Sequence, residues 1–226
     1  RIISFGVHTE ADVRAERLVA EETGSDITVR VAGRTIGYRL AIPGKHIAQN
    51  SLAVVAALDS VGADLEEALK ALAALAPPPG RGARDVLQVP GGQILLIDES
   101  YNANPASMRA SLATLATVSR DRFPRRIAVL GDMLELGPSA GELHRGLIEA
   151  VIAAGVDQLF ACGPHMKGLY AAASPAIKGG YAETAQELEP LVASALRAGD
   201  ALMIKGSNGM RLGPLAASLR KLSSAD

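Results

Sequence analysis

The sequence predicts an α/β protein: a doubly wound, mostly parallel sheet domain preceded by a smaller segment of β-hairpin plus helices. Three observations carry that reading. Apolar and polar residues alternate over 27–42 with the period of a strand. The run Pro77-Pro78-Pro79-Gly80 admits no helix. Beyond it, short unbroken apolar runs alternate with amphipathic stretches, the pattern of parallel strands covered on both faces.

The elements follow in order. Ile27, Val29 and Val31, then Ile36, Tyr38, Leu40 and Ile42, flank a turn at Gly33 and describe an antiparallel hairpin. Residues 45–61 switch to a helical period, with Ile47, Val54, Leu58 and Val61 as the stripe and Gly62 as the stop. Asp64 and Glu67 form a capping box ahead of Leu65, Leu69, Leu72 and Leu75, a second helix. The proline run then sets a boundary between residues 1–77 and a domain at 81–226.

In the second part Val86–Val89 and Ile94–Ile97 flank Pro90-Gly91-Gly92, a hairpin signal. Asn104 and Pro105 supply an N-cap and a first-turn proline. Ile127–Leu130 is a short strand, and Ser139 with Glu142 predicts a capped helix to about Ala153. Gln158–Ala161 is a buried strand, with a short helix after Pro164. Thr184 and Glu187 cap a long helix ending near Gly199. Ala201–Ile204 is the last strand and Pro214–Leu222 the last helix.

Composition narrows the function. The 226 residues are 48% hydrophobic and 21% charged, with a formal net charge of −1, which argues against a nucleic-acid binder driven by bulk charge. Aromatics are 3% with no Trp, which disfavours base-stacking surfaces. One cysteine, Cys162, excludes an internal disulfide framework and reads as a buried strand-end thiol. No apolar stretch reaches the ~20 residues of a membrane span and no signal peptide heads the chain, so a cytoplasmic protein is expected. The length suits one and a half domains, and the opening on Arg1 into an apolar run suggests a piece of a longer protein.

Ligands of doubly wound sheets bind at the carboxyl ends of the strands. Three predicted strands deliver dense polar runs there: Asp98-Glu99-Ser100-Tyr101-Asn102-Ala103-Asn104-Pro105, Gly131-Asp132-Met133-Leu134-Glu135, and Lys205-Gly206-Ser207-Asn208-Gly209. Each has a plain structural reading, as cap, loop carboxylate or solvated turn. Their coincidence at one edge points instead to a site. His46 and Asn50, four apart on one helix face, suit either a helix start with a surface amide or the edge of a nucleobase. No G-x-x-x-x-G-K-[ST] and no G-x-G-x-x-G after a strand occurs, and no G-x-S-x-G elbow directly follows a strand.

The run Asp98–Pro105, followed by Ser107 and Met108, resembles a signature of the Mur ligases. Leu130–Gly137 with His144, Pro43-Gly44-Lys45-His46 with Asn50, and Lys205-Gly206-Ser207 resemble companion motifs in the family's order. Ile47 departs where many members carry Asn, and Asn208 where some carry Arg. The resemblance is to the branch that joins D-alanyl-D-alanine to UDP-N-acetylmuramoyl tripeptide through an acyl phosphate in peptidoglycan synthesis. It implies ATP and Mg2+ as cofactors, both held mainly by a P-loop region that this sequence lacks; a monomer with no nucleic-acid partner is expected. Residues 1–77 would then be the end of a central ATPase domain whose P-loop lies upstream, and 81–226 the whole Rossmann-like C-terminal domain. By the same resemblance His46, Asn50, Arg81, Asp98, Tyr101 and Asn102 contact ATP, while Asp132, Glu135, Lys205 and Ser207 face the dipeptide. It assigns no catalytic residue or metal ligand within this chain, which alone would be inactive. The rival readings are a sibling Mur ligase, a folylpolyglutamate synthase (whose signature has D-G-A-H-N-P), and a non-catalytic α/β binding domain.

Overall fold

The computed structural model describes residues 2–222 and divides into two compact units, Arg1–Pro77 and Pro78–Asp226. The first holds a four-stranded sheet in the order β1 (Phe5–Gly6), β2 (Val13–Glu21), β3 (Gly24–Val31), β4 (Arg34–Leu40). β1 pairs parallel to β2, and the remaining pairs are antiparallel. Ala32 and Gly33 close the β3–β4 hairpin, both with positive φ (48° and 77°), as a two-residue turn between right-twisted strands requires. Ile27, Val29, Val31, Ile36, Tyr38 and Leu40 alternate onto the buried face.

Helix α1 (Lys45–Ser60) covers that face, but not with the stripe read from the sequence. Its buried residues are Ala48, Ser51, Leu52, Val55 and Ala56, while Val54 and Val61 are 44% and 76% exposed. The small Ala48 and Ala56 allow close approach to the sheet, and the Ser51 hydroxyl meets the Tyr38 hydroxyl at 2.6 Å inside it. Asp64 caps α2 (Leu65–Lys70) by accepting from the Glu66 and Glu67 backbone N–H groups. The predicted box stays half-made, because the Glu67 carboxylate pairs with Lys70 at 2.7 Å. The chain then tightens into a 3₁₀ turn at Ala71–Ala74, leaving Leu75 exposed.

The second unit is a six-stranded sheet. Its order is β5 (Ala83–Val89), β6 (Gly92–Glu99), β10 (Asp200–Lys205), β7 (Arg125–Gly131), β8 (Gln158–Cys162), β9 (Lys178–Ala182). Only β5 runs antiparallel. Alternate residues of each strand enter opposite cores: Leu95, Ile97 and Leu130 on one face, Ile94, Leu96 and Val129 on the other. That is why the strands read as unbroken apolar runs. Helices α3 (Pro105–Ala116), α5 (Ile148–Ala153) and α6 (Met166–Ala172) cover the first face; α7 (Ala185–Ala195) and α8 (Leu212–Leu222) cover the second.

Three local readings are corrected. Ser139 makes no side-chain cap; its φ/ψ of −82°/1° is not the extended cap conformation. The helix expected to reach Ala153 breaks into α4 (Ala140–Arg145) and α5 at Gly146. The helix capped by Thr184 and Glu187 stops at Ala195, short of Gly199. Strand β9 was not expected from Lys-Gly-Gly-Tyr-Ala. A Cβ at Gly179 or Gly180 would stand 2.7 or 3.2 Å from the Phe160 ring, so only glycine lets this edge strand cross it.

Candidate active site at the carboxyl edge of the sheet

Because β10 lies between β6 and β7, the carboxyl ends of these three strands are neighbours, and the connection from β6 to β7 steps over β10. Such a position is where doubly wound sheets open a ligand crevice.

At the end of β6 the Asp98 carboxylate is 3% exposed and internally engaged. One oxygen accepts from the Ser100 N–H and hydroxyl at 3.1 and 2.6 Å; the other accepts from Arg220 on α8 at 3.0 Å. Arg220 also donates to Asp85 at 2.8 Å. Two backbone bonds hold the preceding linker here, Gly82 N–H to Asp98 O and Tyr101 N–H to Gly80 O. The Arg81 guanidinium stacks 4.2 Å over the exposed Tyr101 ring. Asn102 is also exposed, whereas Asn104 closes a capping box with Ser107 at the start of α3.

Lys205 ends β10 and is 2% exposed. Its ammonium donates to Asn102 O at 2.9 Å and reaches Glu99 at 3.5 Å, lacing β10 to the β6 loop. Burial lowers its pKa; Glu99 opposes that shift and the charge of Arg81 adds to it.

The loop after β7 is fixed from three sides. Asp132 N–H donates to Cys162 O, Met133 N–H to His144 Nε2 at 2.8 Å, and Leu134 N–H to Ser207 Oγ at 2.9 Å. Ser207 N–H returns to Asp132 O. The Asp132 carboxylate, 1% exposed, accepts from His165 and Met166 N–H at 3.1 and 2.7 Å and so caps α6. A Cβ at Gly163 would fall 2.5 Å from that carboxylate carbon, so glycine is required beside it. Glu135, exposed and left-handed at φ 64°, projects from the loop. Burial, reinforced by Asp132, pushes the Cys162 thiol up to about 11, which keeps it inert.

Between the starts of α7 and α8 lies a cleft of about 450 Å³ lined by Glu183, Gln186, Glu189, Gly209, Met210 and Arg211. The predicted residues of this unit therefore fall into two groups. Asp98, Asp132, Lys205 and Ser207 are buried and bonded within the edge; Arg81, Tyr101, Asn102 and Glu135 are exposed along it. In the first unit His46 is half-buried and Asn50 exposed, one turn apart on α1. Sequence reading passed over the placements of Arg220 and Arg211, and treated His144 only as part of a motif. No local signal links Arg220 to Asp98, 122 positions away.

Residues 85–208 match the family profile described as "Mur ligase, glutamate ligase domain". The chain is 34% identical to the UDP-N-acetylmuramoyl-tripeptide–D-alanyl-D-alanine ligase of Treponema pallidum, over 81% of this chain and 39% of that protein. With the Rickettsia prowazekii ligase of the same name it shares 27% identity, over 93% of this chain and 45% of the relative. A crystal structure of MurF from Acinetobacter baumannii superposes with a TM-score of 0.81 at 27% identity, covering 98% of this chain and 47% of that one. The chain thus spans less than half the length of these curated relatives. With more than half of its residues under the profile, and its three signature runs on the ends of three adjacent strands, the chain belongs to the Mur ligase family.

Proposed function

We propose that this chain is the C-terminal part of an ATP-dependent cytoplasmic ligase that joins D-alanyl-D-alanine to UDP-N-acetylmuramoyl tripeptide for peptidoglycan. Residues up to Pro77 then belong to the end of a nucleotide-binding central domain, and those from Arg81 on to the C-terminal domain. The observation that carries the reading is the convergence of Asp98–Pro105, Leu130–Gly137 and Lys205-Gly206-Ser207 on the carboxyl ends of β6, β7 and β10.

ATP, when bound, supplies the phosphoryl group that activates the tripeptide carboxylate. On this chain Arg81, Tyr101 and Asn102 are assigned to the nucleotide, since they stay exposed while Asp98 is held by Ser100 and Arg220. His46 and Asn50 are assigned to it separately, on α1. Among the described residues no three His, Cys, Asp or Glu side chains gather as a cation site, and Mg2+ is assigned to no residue of this chain.

The dipeptide is dipolar, and Glu135 together with the cleft offers both signs, Glu183 and Glu189 for an ammonium and Arg211 for a carboxylate. Asp132, Lys205 and Ser207 support that surface from beneath, by fixing the loops that carry it.

Calorimetric titration of D-alanyl-D-alanine into the 226-residue chain tests the reading. Binding that is lost in Lys205→Ala and in Arg211→Ala is expected; binding unchanged in both overturns the dipeptide assignment. The 226 residues include no G-x-x-x-x-G-K-[ST] loop, so no turnover is expected from the chain alone with ATP and both substrates. Measurable product would overturn that expectation.

A further inference from the structure

His144 on α4 is fully buried. Its Nδ1 lies 2.6 Å from Ala140 O, and its Nε2 lies 2.8 Å from the Met133 nitrogen. A carbonyl only accepts and a backbone N–H only donates, so the geometry admits one species: neutral imidazole with its proton on Nδ1. A protonated ring would set two N–H groups face to face at Met133.

We propose that His144 is the positioning residue of the carboxyl edge, a neutral latch that holds the loop after β7 through Met133 and releases it when the ring is protonated. The two neighbouring backbone N–H groups of the loop are also tied, Asp132 N–H to Cys162 O and Leu134 N–H to Ser207 Oγ, on either side of Met133. The latch therefore governs the middle of the segment that projects Glu135. The inference uses the proposed function only in calling this the ligand edge.

The groups facing the ring are few. Asp132 Oδ1 of the loop lies 3.8 Å from Nε2, and the His165 ring, at the start of α6, is 5.3 Å away. From α3, Arg109 reaches Gly146 O at 3.4 Å. On α4 itself Glu142 and Arg145 are exposed, as is Lys167 on α6. Burial lowers the His144 pKa and outweighs Asp132, which favours the charged ring; His165 adds to the lowering. With the native value below the unfolded 6.5, folding favours the neutral form. The stability this contributes is complete above 6.5 and is lost as pH falls from there through the native value.

Amide hydrogen exchange of Met133 in the 226-residue chain, followed from about pH 7.5 to about pH 4.5 and corrected for the intrinsic rate, reads the latch. Met133 protection is expected to fall roughly tenfold or more across the His144 titration, the loss of one buried acceptor, while Ala128–Leu130 in β7 keep theirs. In His144→Gln the side chain offers an uncharged acceptor, and the pH dependence is expected to vanish. An equal fall in both proteins overturns the proposal, as does flat Met133 protection while the ring titrates. Should His144→Gln not fold, the ring nitrogen signals of the unaltered protein decide. A bare Nε2 with a protonated Nδ1 near neutral pH supports the latch; any other state overturns it. No substrate enters these measurements, so their failure and a failed dipeptide titration are distinguishable.

Discussion

The two edges of the six-stranded sheet are closed by opposite chemistry. At the amino edge three arginines donate to carbonyls: Arg126 to Ala116, Val118 and Ala154, Arg120 to Pro124 and Gly155, and Arg125 to Ala195. At the carboxyl edge acceptors receive N–H groups: Asp132 from α6, Asn104 from α3, Thr184 from α7, His144 and Ser207 from the β7 loop. Chain direction is the cause. Each crossover helix starts at the carboxyl edge with free N–H groups and ends at the amino edge with free C=O groups. The carboxyl edge therefore presents the positive ends of the crossover helices, the polarity that favours phosphates and carboxylates.

The amino edge should be the more brittle. Arg125 grips Asp200 with two bonds of 2.6 Å, and Asp200 is fully buried. Removing the guanidinium in Arg125→Ala leaves that buried carboxylate without its countercharge, held by the Arg197 N–H at 2.8 Å, at a cost of about 3–5 kcal/mol. Urea unfolding should register the loss, and Arg125→Met with Asp200→Leu should recover most of it. A destabilisation under ~1 kcal/mol would mean the pair is solvated and the contrast between edges is weaker than drawn.

At the carboxyl edge, Asp132→Ala removes the acceptor of two N–H groups at the start of α6 and one wall of the His144 site. A loss of about 1–3 kcal/mol is expected, smaller than at Arg125 because the stranded groups are neutral. Asp132→Asn retains one acceptor oxygen and should recover part of the loss in the same urea measurement. Equal losses in the two variants would show that the charge, not the cap, is what the edge needs.

What could be read from the sequence was what depends on neighbours in the chain. The caps at Asn104 and Thr184 have their partners three residues on, and the buried strands declare themselves by apolar runs. The sheet edge on which the candidate residues gather followed from those strands alone. The buried side of α1 was misread because the choice belongs to the sheet beneath it, where Ala48 and Ala56 permit closer contact than Val54. Strand β9 was hidden because its glycines answer to Phe160 on the neighbouring strand. The division of the candidate site residues into buried and exposed was equally hidden. Asp98 is held by Arg220 from 122 positions away, a partner that no local pattern announces.

The smallest effect on stability is expected at Arg81. Its guanidinium lies 4.2 Å over an exposed Tyr101 ring, beside the linker bonds of Gly80 and Gly82. An exposed cation–π pair contributes about 0.5–1 kcal/mol, so Arg81→Ala should shift the urea midpoint barely at all. Lys205 should respond instead: Arg81 is one of the charges lowering its pKa, so removing Arg81 should move the Lys205 ammonium back toward its ordinary value. Heteronuclear titration of the lysine side chains would show that upward movement. If Lys205 titrates unchanged while nucleotide binding falls, Arg81 acts only outward, on the ligand. If both change, the exposed and the buried candidate residues of this edge are electrostatically one unit, unlike the arginine-closed edge opposite, where Arg125 bonds Asp200, Gln158 and the Ala195 carbonyl.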